Sequence, residues 1–535
     1  MDKMGENGYL IGIDLGTTYS CLAYIGEDGT PVVEKNFEQE DTTPSVVLFN
    51  DSGEIIVGSP AKDMSIMYPP ERTITAIKRQ IGTDYEVSVD GERYTPITLS
   101  ASILKKMIND FNDNHGCDVK RAVITCPAYF GQQERDATKT AGKIAGLDDV
   151  TIINEPTAAA ISFGMGSDGT KTKVLVYDLG GGTFDVTVLE IDGQAFTAIA
   201  TDGERLLGGK DWDAAVIRLI KQHAVEDEGI EEYEIDEDDE VRASLVLDSE
   251  TIKKRLSTAE STKGTLNVGG RKIVYTITRE EFETASLPLL QTTLEVIGRT
   301  LASKDLSMDD IDKVLLVGGS SRMPQIRNGI AAEYPDADIR LFDPDQSVAK
   351  GAALFAKSAA WGADGAAAAA PVFDEDGGIV SAPVGEDGLS VHNVLSKSFG
   401  IKITHDDGSE NISNLIFRNE VLPLVKENVY YPQEDGQSSI KVEIYENSAF
   451  DDEDGRKVDL VEGYPVGDFE MELPEEVSRD TPIAVRFVAT DEGILIAYVD
   501  CLDMHAEYQL KSELQMSEAE IGEARGLMDR VSNAN

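Results

Sequence analysis

The chain runs to 535 residues, 41% of them hydrophobic and 27% charged, a length and balance that suit several folded domains and exclude both a disordered chain and a small disulfide scaffold. With 98 acidic against 48 basic residues the net charge is -50, a field that repels nucleic-acid phosphates and anionic membrane surfaces, so neither is an expected partner. Cys21, Cys117, Cys126 and Cys501 form no C-x-x-C pair and share no histidine cluster. Buried free thiols are the reading, and with no run of about 18 apolar residues anywhere a cytoplasmic protein is expected.

From Tyr9 to about Trp361 short apolar runs alternate with helical patterns, which predicts an α/β region long enough for two lobes. Its first motif, Leu10 to Ser20, is an apolar strand ending in Asp14, then the turn Gly16-Thr17-Thr18-Tyr19, then a second strand from Cys21 to Ile25. A second copy follows at Val174 to Asp185, where Asp178 closes a strand and Gly180-Gly181-Gly182-Thr183 make the turn before the strand Val186 to Ile191. One such turn is an ordinary hairpin, but two copies closing buried strands argue for a duplicated fold that holds a phosphate chain between its halves. Glycines let backbone N–H groups approach phosphates, threonine hydroxyls add donors, and aspartates can hold Mg2+ through its waters.

Further along, the acidic stretch Glu226 to Glu240 reads as a solvated loop or helix face. Glu250, Lys253, Lys254 and Ser257 then fall at i, i+3, i+4 and i+7, placing polar groups that could grip a ribose and base on one helical face. Val314 to Pro324, containing Gly318, Gly319, Ser320 and Arg322, reads as a strand, a Gly-Gly turn and a helix start with serine near the N-cap. Gly362 to Gly388, rich in Ala, Gly, Asp and Pro, is a linker. After Val391 the pattern changes to period-two strands such as Ile440 to Tyr445 and Ile483 to Val488, which predicts a separate all-β domain. Ser517-Glu518-Ala519-Glu520 reads as a capping box that opens a short terminal helix.

Together, Ile13 to Ser20, Ile152-Ile153-Asn154-Glu155-Pro156-Thr157-Ala158-Ala159-Ala160, Asp178 to Asp185 and Val317 to Pro324 resemble the seventy-kilodalton heat-shock chaperones of the DnaK type over nearly the whole chain. The resemblance implies an actin-like two-lobed ATPase domain over 8–361, an interdomain linker over 362–392, a β-sandwich for extended apolar peptides over 393–512, and a truncated helical lid remnant over 513–535. It implies ATP or ADP with Mg2+, and K+, as cofactors, unfolded or extended apolar polypeptides as ligands, and J-domain and nucleotide-exchange co-chaperones as partners. Carried over by motif, Lys78 orients the attacking water and neutralises γ-phosphate charge, and Thr183 contacts the γ-phosphate. Asp14, Glu155, Asp178 and Asp185 arrange Mg2+, its waters and the proton acceptor, with Asp14, Asp178 and Glu155 nearest the metal. Asp345 joins the other nucleotide contacts, and Pro127 and Arg135 form the relay from nucleotide to interdomain surface.

The β-domain matches more loosely: the family's strand places Ile440 and Val442 at the apolar peptide pocket and Ile412 at its rim, although period-two residues serve equally as sandwich core. Two departures stand out. Ser390-Val391-His392-Asn393 replaces an apolar, acid-terminated linker, so weak docking and weak allosteric coupling are expected, and only Leu514 to Val531 stands where the family has a long helical lid. Sugar kinases and actin-like filament proteins share the same phosphate turns, and a non-cycling ATP-binding holdase or adaptor is a third class. The β-domain and the Glu155-Pro156-Thr157 segment favour the chaperone over the first two.

Overall fold

The computed structural model describes residues 8–164, 170–358, 372–373, 379–381, 389–451, 455–490, 493–510 and 516–532. The two Asp-Gly turns occupy equivalent places in two sheets. In the first lobe Ile11–Asp14 is the central strand, antiparallel to Tyr19–Ile25 and parallel to Arg121–Cys126, which itself runs parallel to Asp149–Asn154. In the second lobe Thr172–Leu179 is central, antiparallel to Phe184–Asp192 and parallel to Lys313–Val317, which runs parallel to Ile339–Leu341. Order and direction repeat, so the duplication expected from the turns is present. Parallel neighbours need crossover helices, and these are Gln132–Ile144 in one lobe and Pro324–Glu333 in the other. Such strands are covered on both faces, which is why Ile11, Ile13 and the run Val174 to Tyr177 are fully buried.

Helices Glu155–Gly164 and Ser347–Ser358 pack against each other between the lobes, backbone to backbone. A Cβ on Gly351 would stand 1.7 Å from the carbonyl oxygen of Ala158, so only glycine permits the approach. The acidic stretch falls on the end of the helix Gly209–Glu226, on Glu232–Asp236 and on the start of Asp239–Leu256, mostly facing solvent.

The β-domain is a sandwich of two antiparallel sheets. One contains Ser398–Thr404, Glu410–Ile416 and Gln437–Asn447, the other Leu424–Tyr430, Ile483–Ala489, Leu495–Cys501 and Met504–Gln509. Its core closes on Phe399, Ile444, Phe487 and Val499.

Two expectations are corrected here. The linker residues do dock: Ser390–His392 adds a parallel strand to the edge strand Ala195–Glu204, with Leu389 and Val394 buried beside it. Strand addition uses backbone donors and acceptors, so it does not require the apolar side chains whose absence argued against docking. Most of the Ala- and Asp-rich stretch before it lies outside the described residues. The terminal helix Glu518–Met528 has the expected capping box, with Ser517 N and Oγ both donating to Glu520 Oε2 at 2.7 Å. It packs, however, on the first ATPase lobe and not on the sandwich: Ile521, Ala524, Met528 and Val531 join that lobe's core, and Arg525 donates to the carbonyls of Lys143 and Leu147 at the end of the crossover helix. All four cysteines are free, Cys117 half-buried and the others buried. Among the described residues no helix is long and apolar enough to cross a membrane.

Candidate active site

The two turns face each other across a cleft. A Cβ on Gly181 would lie 1.9 Å from Thr18 Oγ1, and one on Gly182 would lie 2.2 Å from Thr17 Cγ2, so any side chain there would force the lobes apart. The space they enclose is a cavity of about 590 Å3, in the range that holds a nucleotide-sized ligand. Asp14, Gly16, Thr17, Thr18 and Tyr19 line it from the first lobe, and Asp178, Gly180, Gly181 and Thr183 line it from the second. Gly182 stands behind the wall, its carbonyl accepting from Arg79 Nε at 2.8 Å.

At the floor lies a buried ion pair. Lys78 is 4% exposed and its Nζ donates to Glu155 Oε1. Lys78 sits in the turn Ile77–Gln80 and Glu155 opens its helix at the end of the strand Asp149–Asn154, so the pair ties two segments of the first lobe. Burial alone would lower the Lys78 pKa, but the carboxylates of Glu155 and Asp14 outweigh it and raise it. Burial and then Glu155 push Asp14 up to about 7, and the same causes raise Asp178 and Asp185 well above the ordinary carboxylate range. Thr125 Oγ1 donates to Asp14 at 3.2 Å, whereas Asp185 Oδ1 and Thr18 Oγ1 are buried without a hydrogen-bond partner. Asp185 lies next to the cavity without lining it.

The other end of the cavity is built from the helix Asp239–Leu256 and the turn after Lys313–Val317. Glu250, Lys253, Lys254 and Ser257 line one wall, Gly318, Gly319, Ser320, Arg322 and Asp345 the other, and Arg322 pairs with Asp345. The serines fall in a tight 3-10 turn, Gly319–Arg322, and the following helix has no serine cap. Sequence reasoning missed Lys62. Its Nζ reaches across the mouth to Glu250 Oε2 at 2.6 Å and to Tyr19 Oη at 2.8 Å, while Tyr19 Oη donates to Glu250 Oε1 at 2.8 Å. Burial would raise Glu250, but hydrogen bonds from Lys254 and Lys62 hold it down to about 2. No motif marks Lys62, because its partner is 188 residues away.

The sandwich residues are corrected. Ile412, Ile440 and Val442 are 0%, 5% and 4% exposed, and the paired strand sets Ile440 beside Met471 and Val442 beside Phe469. Ile440 and Val442 fill the interior between the sheets, the alternative that period-two spacing left open, whereas Ile412 is buried under Gly463, whose added Cβ would stand 2.2 Å from its Cδ1; none of the three lines an open groove in this structure. Of the relay candidates, Arg135 reaches the domain boundary, beside Asn393 and Gly493. Pro127 is buried, and Arg135 donates to Phe130 O at 3.0 Å and Asn154 Oδ1 at 2.7 Å. Asn393, just past the linker strand, accepts from Thr157 Oγ1 at 3.1 Å and Asn154 Nδ2 at 3.4 Å. Beyond it Arg418 pairs with Asp202 at 3.1 Å, and Asn419 Oδ1 accepts from Thr201 N at 2.9 Å.

Duplicated sheets, facing phosphate turns and an acid-rich floor define an actin-like ATPase, here joined through a docked strand to a β-sandwich. The sequence model of the family described as Hsp70 protein matches residues 10–517, and the chain belongs to that family. It is 38% identical over 495 residues to the chaperone protein DnaK of Thermotoga maritima, covering 91% of this chain and 77% of the relative. It is 37% identical over 494 residues to that of Thermosipho melanesiensis, with the same coverage. The protein is an ATP-dependent molecular chaperone, an ATPase that binds nucleotide and unfolded polypeptide.

Proposed function

We propose that Lys78, Glu155, Asp178, Thr183 and Asp185 carry out ATP hydrolysis, and that its outcome reaches the peptide-binding domain through Asn393. Lys78 supplies a fixed positive charge for the γ-phosphate and a donor for the attacking water. The carboxylates of Glu155 and Asp185 accept proton density from that water, and Thr183 Oγ1 donates to the γ-phosphate. Phosphoryl transfer needs little covalent help, so placing these groups in a water-poor cleft supplies most of the acceleration.

The acid-rich floor, with the partnerless Asp185 Oδ1, suits a hard cation. No cluster of three carboxylate, thiol or imidazole ligands forms among the described residues. Asp14, Asp178 and Glu155 would hold Mg2+ through its waters, and the ion would neutralise phosphate charge. K+ fits the same oxygen-rich floor. J-domain and nucleotide-exchange co-chaperones are the partners this cycle calls for, and four free thiols suit the reducing cytoplasm.

The observation that carries the coupling is the docked linker strand, because Asn393 is bonded to Thr157, two residues beyond Glu155 on the same helix. Release of a labelled extended apolar peptide, measured by stopped flow with ATP and with ADP, tests it. Release rates at least tenfold apart in the wild type, and closer together in Asn393→Ala, are expected. Equal rates with both nucleotides in the wild type would refute the coupling.

A further inference from the structure

The sandwich also touches the ATPase domain through Glu446, in the strand Gln437–Asn447. Its carboxylate lies against Gly131, the residue that opens the helix Gln132–Ile144. A Cβ on Gly131 would stand 3.0 Å from Glu446 Oε2 and 3.3 Å from Glu134 Oε2. Two carboxyl groups from different domains therefore share one small space.

The charged groups facing Glu446 are Glu134 on that helix, Arg205 just past the strand Ala195–Glu204, and Lys397 just before the strand Ser398–Thr404. Both cations are committed elsewhere. Lys397 Nζ donates to Ser448 Oγ at 3.2 Å, and Arg205 Nη1 donates to Glu134 Oε1 at 2.8 Å. The second arm of Arg205 donates to the carbonyls of Ile81 at 2.8 Å and Arg79 at 3.4 Å. Those carbonyls lie one and three residues past Lys78, in a turn that begins at Ala76 with a left-handed φ of 56°. A path thus runs from the sandwich to the segment that carries the lysine: Glu446, Glu134, Arg205, then the backbone just after Lys78.

We propose that Glu446 is a positioning residue for hydrolysis: when the domains dock, its carboxyl takes up a proton beside Glu134, and Glu134 through Arg205 fixes the Lys78 segment. This deepens the coupling proposed above and rests on it. Burial, and then the charge of Glu134, push Glu446 up to about 7 in the docked form, while undocking returns it to the ordinary carboxylate range. The docked form therefore binds a proton that the undocked form does not. Docking is strongest in mild acid, weakens as pH rises through 7, and levels off above that. For a pKa of about 7 this linkage amounts to roughly a tenfold fall in the docking constant between pH 6 and pH 8.

The test uses the full chain in whichever nucleotide state gives the more compact form. Radius of gyration by small-angle scattering and single-turnover hydrolysis are followed from pH 6 to 8.5 for the wild type, Glu446→Gln, Glu134→Gln and Arg205→Lys. In the wild type the docked fraction should fall with rising pH, following the roughly tenfold linkage worked above; Glu446→Gln should stay docked with a flat profile, and Glu134→Gln should keep a weaker dependence displaced to lower pH, because burial still acts on Glu446. Arg205→Lys keeps the charge but loses the fork, so it should retain the pH-dependent expansion while kcat falls and the KM for ATP holds. Superimposable pH profiles for the wild type and both glutamine variants would overturn the proposal. If the wild-type radius ignores nucleotide at every pH, the docking reading fails too, which separates the two failures.

Discussion

Lys78→Ala probes the floor of the cleft most directly. The side chain is buried, bonded to Glu155, and close enough to Asp14 for each to shift the other's pKa. At an effective dielectric of about 20, one unit charge acting over about 4 Å amounts to about 4 kcal/mol. Losing a preorganised donor from a charge-stabilising site typically slows the chemical step by roughly 100- to 1,000-fold. ATP binding should change by only a few-fold, since the turns at Gly16 to Thr18 and Gly180 to Thr183 and the wall at Glu250 to Ser257 remain. Single-turnover hydrolysis, read beside nucleotide affinity and the circular dichroism of the folded variant, separates catalysis from folding. A variant that hydrolyses within tenfold of the wild type would refute the assigned role, and one that fails to bind ATP would move Lys78 from catalysis to binding.

The pair that closes the mouth should act on nucleotide exchange: Lys62→Ala removes one partly buried ion pair, worth roughly 1 kcal/mol, and should release a fluorescent ADP analogue about fivefold faster. Because Glu250 is held at about 2 against 4.5 when free, its contribution is complete above pH 4.5 and fades as pH falls toward 2. The acid unfolding limb of Lys62→Ala should therefore move to higher pH, and superimposable limbs would contradict this. Arg418→Ala breaks the pair with Asp202 and should speed amide exchange at Ser390–His392 without slowing hydrolysis at saturating ATP. Met528→Ala, although on the terminal helix, should destabilise the ATPase domain by about 2 to 5 kcal/mol in denaturant, and no change would place the helix outside that core.

The duplicated lobes were legible because strand, turn and strand are local, and both copies carry an Asp before and glycines within the turn. The cavity wall at Glu250 to Ser257 was legible for the same reason, since helical spacing puts its groups on one face. What the sequence hid is long-range or backbone-borne. Lys62 meets Glu250 only through the closed cleft, and Arg205 holds the Lys78 turn through main-chain carbonyls, which leave no side-chain signature. The linker was misread because apolar content was taken as the requirement for docking, whereas the ladder with Ala195 to Thr197 is made by the main chain. In the sandwich, alternation identified inward faces but could not say whether Ile440 and Val442 face a ligand or the opposite sheet.

The proposed coupling joins hydrolysis at the Lys78–Glu155 floor to peptide binding in the sandwich through the docked strand at Ser390–His392. Single-turnover ATP hydrolysis, measured with and without saturating extended apolar peptide, tests that claim in one assay. Coupling free energies of about 1 to 3 kcal/mol correspond to about 5- to 150-fold, so peptide should change the rate by at least fivefold, and Asn393→Ala should reduce that effect. A wild-type rate that is the same with and without peptide would contradict the coupling.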